Sequence, residues 1–198
     1  MKKRIVIFAS GSGTNTQNIV EYFQQGKFAK VVHILTNKKD AKVLERAKAL
    51  KIKGSSFTKE ELNSEKGVLK TLKKAKPDLI VLAGFLLKFP DVILKKFPNK
   101  VINIHPALLP KFGGKGMYGM NVHQAVVDQK ESETGITIHY VNENYDEGAI
   151  ICQKTVGISD NDSPEEVAKK VHALEYEHFP QVIESLLISE ENKTEISG

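Results

Sequence analysis

The chain has one cysteine, Cys152, so no disulfide can close within it, and nothing in the sequence points to an oxidising compartment. No apolar stretch approaches the ~20 residues that a membrane-spanning helix needs. The opening MKKRIVIFAS sets basic residues ahead of a short apolar run. That run is too short for a signal peptide and leads straight into a Gly-rich turn, so it reads as a buried first strand. The expectation is a soluble, cytoplasmic protein with no membrane partner. Metal-ligand spacing is missing as well. The histidines at 33, 105, 123, 139, 172 and 178 show no H-x-x-x-H pattern, so no metal is expected. Internal repeats and long linkers are absent. A net charge of +5, from 29 Lys+Arg against 24 Asp+Glu, suits an anionic small substrate or nucleic acid. The lysines (Lys42, Lys48, Lys51, Lys70, Lys73, Lys74) are scattered along helical stretches without interleaved aromatics. They read as solvated helix faces, and no nucleic-acid partner is expected.

Apolar runs of strand length alternate with amphipathic stretches of helix length. RIVIFA (4–9) is a strand, GSGT a turn, and NTQNIVEYFQQ a helix with Ile19, Val20 and Phe23 on one face. VVHILT and a weaker run near 52–57 are strands, with the helix DAKVLERAKAL between them and Asp40 as its N-cap. A lysine-rich helical stretch follows to about Ala75. DLIVLAGF (78–85) is apolar throughout, as expected for a strand covered on both faces. PDVILKKF fits a short helix opened by Pro90, and VINIH is the next strand. This rhythm predicts an α/β fold: a mostly parallel twisted sheet, Rossmann-like in its N-terminal half, with helices on both faces. After residue 106 the Gly-rich loop KFGGKGMYG leads to a helix near 121–129. TGITIHYV and GAIICQKTVGI then predict an antiparallel C-terminal extension. SPEEVAKKVHALEYEHF opens with Ser163, Pro164 and Glu166, a capping box with proline at the first helical position, and Pro180 should break or kink that helix. The chain reads as a single domain over 1–188, with ISEENKTEISG (189–198) a disordered polar tail.

Three stretches could carry chemistry. SGSGTN (10–15) lies between a strand and a helix, where glycines let backbone N–H groups approach an anion. The dinucleotide fingerprint needs a third glycine where Thr16 stands, and an acidic residue where LTNKK offers Asn37. A dinucleotide is therefore disfavoured, whereas a single phosphate or a ligand-free turn both fit. Thr14 and Asn15 could each serve as helix caps. In VINIHPALLP, Asn103 and His105 are two residues apart and so share one face of their strand. They emerge at its carboxyl end, where open α/β sheets bind ligands. Asn supplies a neutral donor and His a proton that moves near neutral pH; a capped strand end is the alternative. Asp146 lies in the turn of NENYDEG, an ordinary place for Asp. His139 has apolar neighbours and fits a core histidine, and Cys152 also reads as core.

Taken together, IVIFASGSGTN, VLAGFLLKF, NIHPALLP and YDEGAIICQ resemble the folate-dependent formyltransferases. The likeness runs from residue 4 to about 187, and the SGSGTN loop and short length select the branch that formylates glycinamide ribonucleotide. The resemblance implies transfer of a formyl group from 10-formyltetrahydrofolate, as co-substrate, to the amine of that nucleotide in de novo purine synthesis. It implies Asn103, His105 and Asp146 as the catalytic trio, with Asp146 raising the pKa of a protonated His105. It implies Gly11, Ser12, Gly13, Thr14 and Asn15 as the phosphate loop, and Glu175 as the residue that holds the glycinamide. His172 occupies the family's basic or amide position near that glutamate. Leu86, Leu87, Lys88 and Phe89, together with Asn103, match the folate-binding stretch, and His139 and His123 are possible supports. Partners implied are small molecules, on a monomer or weak homodimer. Related branches act on aminoacyl-tRNA or a sugar nucleotide, or hydrolyse formyltetrahydrofolate.

Overall fold

A computed structural model describes residues 2–26 and 28–196, with backbone alone from 190 onward. The elements are β1 (Lys3–Phe8), α1 (Thr14–Gln25), β2 (Ala29–Thr36), α2 (Lys42–Ala49), β3 (Gly54–Ser56), α3 (Lys59–Asn63) and α4 (Val68–Ala75). They continue with β4 (Leu79–Leu82), α5 (Asp91–Leu94), β5 (Val101–His105), α6 (Met120–Asp128), β6 (Glu133–Tyr140), β7 (Ile150–Gly157) and α7 (Pro164–Ile196). No helix among the described residues is long and apolar enough to cross a membrane.

The chain divides into two compact units, one up to Phe85 together with the chain from His178, the other from Leu86 to Glu177. In the first, the strands run β3-β2-β1-β4, all parallel. Ile5, Val6, Ile7 and Phe8 of β1 and all four residues of β4 are buried. Successive strand residues point to opposite faces, so both faces of this sheet are covered. Ile19, Val20 and Phe23 of α1 are buried as their spacing predicts.

In the second unit the strands run β5-β6-β7 and pair antiparallel, as expected for the C-terminal extension. The α/β architecture with a mostly parallel sheet and an antiparallel end is therefore observed. α6 buries Val122, His123 and Val126. The Ser163–Glu166 capping box forms: Ser163 N–H donates to the Glu166 carboxylate at 2.7 Å, and Glu166 N–H donates to Ser163 Oγ at 3.3 Å.

Several local expectations are corrected. Asp40 does not cap α2; its N-cap is Ala41 with no side-chain bond, because Val43 N–H is directed to the Gly11 carbonyl. Neither Thr14 nor Asn15 caps α1, whose N-cap is Gly13. The lysine-rich stretch splits into α3 and α4, since the Thr58–Glu61 capping box starts a helix and the turn closed by Gly67 N–H on Ser64 O stops it. Pro180 lies inside α7 without ending it. Cys152 is only half-buried, because β7 closes the strand order and is largely exposed. The expectation of a polar tail over 189–198 is not among these corrections: backbone is described to Ile196, and residues 197–198 lie outside the described residues.

Candidate active site

Asn103 and His105 project from one face of β5, and the antiparallel register sets His139 of β6 directly opposite Asn103. Residues facing each other across a pair stand on the same side of the sheet. Asn103 Nδ2 lies 3.1 Å from His139 Nε2, while His139 Nδ1 lies 2.8 Å from the Tyr140 carbonyl. A carbonyl can only accept, so Nδ1 carries the proton and Nε2 accepts from the amide. The strand histidine expected to be a core residue is buried at 2% exposure, yet it belongs to the cluster.

The turn between β6 and β7 adds the carboxylate. Asp146 has a left-handed backbone, φ 56°, a conformation that Asp tolerates better than most residues. Its Oδ2 lies 3.6 Å from His105 Nδ1 and its Oδ1 3.7 Å from His139 Nε2. Its Oδ2 also accepts from Gly114 N–H at 3.0 Å. His105 Nε2 lies 2.8 Å from the Phe112 carbonyl, so this ring carries its proton on Nε2 and turns the Nδ1 lone pair toward Asp146. Two histidines of opposite tautomer thus flank one carboxylate, each set by a main-chain carbonyl.

Burial drives the electrostatics. His105 is 3% exposed, and burial holds its pKa below the ordinary value against the opposing pull of Asp146 and the Phe112 carbonyl. Asp146 does pull upward as expected, but the net shift is downward, so His105 is neutral at pH 7. For Asp146, burial works upward, yet the His139 and His105 rings at 3.7 and 3.6 Å and the Gly114 N–H together bring it below the usual carboxylate range. The resting pair is carboxylate and neutral imidazole.

The turn that follows His105 is fixed from the sheet. Thr137 Oγ1 donates to Ala107 O at 2.7 Å and accepts from Leu109 N–H at 3.0 Å. Gln153 Nε2 bridges Thr137 Oγ1 at 2.9 Å and Leu109 O at 3.0 Å. Neither residue stands out in the sequence. Their signal is indirect: Thr137 pairs with both His105 and Gln153 in the register.

Elsewhere in this unit, His172 Nδ1 meets Glu175 Oε2 at 2.8 Å, and the bond to Glu175 raises the His172 pKa. Glu175 is buried at 4% exposure and bears electrostatically on both His105 and His123. His123 is buried, and burial followed by His172 brings its pKa down to about 4. Leu86 and Lys88 are exposed while Phe89 is buried. In the other unit, the loop at 10–15 follows β1. Gly13 has φ 75°, and a Cβ there would stand 2.4 Å from Val43 Cγ2, so only glycine lets the loop pack on α2. Arg46 Nε donates to Ser12 O at 2.8 Å, and Ser10 Oγ to Asn37 Oδ1 at 2.6 Å. Among the described residues no group of three or more His, Cys, Asp or Glu side chains is arranged to hold a metal ion.

A buried imidazole against a half-buried carboxylate, with an amide donor beside them, can move protons at a polarised carbonyl. A family model described as formyl transferase matches residues 3–183, and the chain belongs to that family. A chloroplastic phosphoribosylglycinamide formyltransferase of Arabidopsis thaliana is 39% identical over 188 residues, 92% of this chain and 64% of the relative's length. The phosphoribosylglycinamide formyltransferase of Bacillus subtilis is 35% identical over 190 residues, 93% of this chain and 95% of its own. The structure of glycinamide ribonucleotide transformylase 1 from Geobacillus kaustophilus superposes with a TM-score of 0.85 at 35% identity, covering 94% of this chain and 100% of that one. The chain thus spans just under two thirds of the length of the plant relative.

Proposed function

We propose that the protein transfers the formyl group of 10-formyltetrahydrofolate to the amine of N1-(5-phospho-D-ribosyl)glycinamide, a step of purine biosynthesis. The observation that carries this reading is the convergence of Asn103, His105, His139 and Asp146 in a chain of the formyl transferase family. The matched span supports reading 1–188 as one formyltransferase domain. Small-molecule substrates rather than nucleic acid are part of this proposal. A cytoplasmic monomer or weak homodimer, acting without a metal and away from membranes, completes the proposal.

In this mechanism the amine nitrogen bonds to the formyl carbon, and the carbonyl electron pair moves onto oxygen. Asn103 donates to that oxyanion; one such donor is worth ~2.7–4 kcal/mol in acyl transfer. The proton shed by the attacking nitrogen passes to the Nδ1 lone pair of neutral His105, whose new charge Asp146 compensates. The same proton goes to N10 as the C–N10 bond breaks, releasing tetrahydrofolate and the formylated nucleotide. His139 orients Asn103 and Asp146 together. Gly11, Ser12, Gly13, Thr14 and Asn15 take the substrate phosphate. Glu175, with His172, receives the glycinamide end, and the backbone at Leu86, Leu87, Lys88 and Phe89 receives the pterin.

The test mixes the protein with 10-formyl-5,8-dideazafolate and glycinamide ribonucleotide and follows the absorbance of the deformylated product. Product should appear only in the complete mixture. Product without the nucleotide would make the chain a hydrolase; turnover only with aminoacyl-tRNA or a sugar nucleotide would move it to another branch.

A further inference from the structure

The Gly-rich segment after the LLP turn touches both members of the proton-moving pair through its main chain. The Phe112 carbonyl accepts from His105 Nε2 at 2.8 Å. Two residues on, Gly114 N–H donates to Asp146 Oδ2 at 3.0 Å. Phe112 itself is left-handed, φ 56°, a strained backbone for a bulky side chain unless its surroundings compensate. Between the two lies Gly113. A Cβ there would stand 2.6 Å from Leu109 Cδ2 and in ordinary contact, 3.4 Å, with Asp146 Cβ, so an alanine fits only if the leucine methyl moves. Thr137 and Gln153 hold the Leu109 main chain and its side chain is buried at 6% exposure, so that methyl moves only by repacking the core around it.

We propose that residues 112–114 are a main-chain positioning element for the formyl-transfer pair. Phe112 selects the Nε2–H tautomer of His105, Gly114 orients Asp146, and Gly113 is the residue that permits both contacts at once. The proposal rests on the functional reading above, and it deepens that reading by tying loop and chemistry together. Without the Phe112 contact, either ring nitrogen of a neutral histidine can carry the proton. Only the Nε2–H form presents the Nδ1 lone pair to the side where Asp146 can stabilise the imidazolium.

The test records long-range 1H–15N spectra of the full chain labelled at histidine, with the His105 signals assigned by their loss in His105→Gln. Parent His105 should show the Nε2–H tautomer alone. Gly113→Ala should mix the tautomers and lower kcat by about 10–100-fold, part of the ~10²–10⁴ that a positioned acid–base group contributes. KM values should hold within a fewfold, and the acid limb of the kcat profile should move to lower pH, because the Phe112 contact raises the His105 pKa. Gly157→Ala, at the end of β7, is the control. A Cβ at Gly157 meets nothing within 4 Å and its backbone is not left-handed, so the parental tautomer and rate should persist. A parent spectrum with mixed or Nδ1–H tautomer would overturn the proposal whether or not the variant folds. So would a Gly113→Ala enzyme like the parent, or a Gly157→Ala enzyme as impaired as Gly113→Ala. A parent with the expected tautomer and no transferase activity would remove the functional reading and leave the positioning element standing.

Discussion

In the loop at 10–15, backbone and close packing hold the geometry: Gly13 against Val43, Ser12 O on Arg46, Val43 N–H on Gly11 O. Around Asp146, side chains from β5, β6 and a turn meet one another, with main-chain carbonyls setting the two tautomers and the Gly114 N–H meeting the carboxylate. Under the proposed function the first arrangement holds the substrate phosphate, which main-chain donors can do without titrating. The second moves a proton, since the His105 imidazole can gain one and the Asp146 carboxylate can compensate its charge. The difference predicts that damage to the loop weakens binding, while damage to the cluster slows the chemical step.

The largest effect should come from His105→Ala. With the proton acceptor gone, kcat should fall by ~10²–10⁴ while the nucleotide KM stays within a fewfold. Steady-state kinetics on the folded variant check this, and a KM effect larger than the kcat effect would erase the contrast. Gly13→Ala should do the reverse. Forcing a Cβ against Val43 should cost about 1–3 kcal/mol of stability, seen as a lower Tm, and raise the nucleotide KM with kcat nearly kept.

A pH titration sharpens the comparison with one buried histidine from each region. His33 and His123 both have pKa values brought down from 6.5 to about 4, chiefly by burial and then by Lys53 and His172 respectively. As pH falls from 6.5 toward 4, the unfolded chain takes up protons that the folded chain refuses, so stability falls through that window and is unaffected above it. Urea midpoints of His33→Gln and His123→Gln should both show a shallower pH slope than the parent; an unchanged slope in either would exclude that histidine as a source. The smallest effects belong to the caps. Thr58→Ala and Ser163→Ala should each cost about 1 kcal/mol, read as a small shift in urea midpoint with kinetics unchanged.

How much of this was legible follows from how local each feature is. The order of strands and helices, the Ser163 box and the shared face of Asn103 and His105 depend on spacings within a few residues, and the structure agrees with them. The place of His139 depends on the β5–β6 register, where a one-residue slip would carry it to the other face of the sheet. Asp40 reads as a cap from its neighbours alone, but the loop at Gly11 engages the first turn of α2 instead. The direction of the His105 shift turns on burial outweighing a nearby carboxylate, and burial is a property of the folded chain that neighbours in sequence do not reveal.

Asp146→Asn tests the central claim most directly. Asn also tolerates the left-handed backbone at this position and still offers Gly114 N–H an oxygen, so the charge can be removed with the fold retained. In a single-turnover assay at saturating folate and nucleotide, the account predicts a formyl-transfer rate lower by ~10² or more at nearly unchanged Tm. A rate within a fewfold of the parent would contradict it.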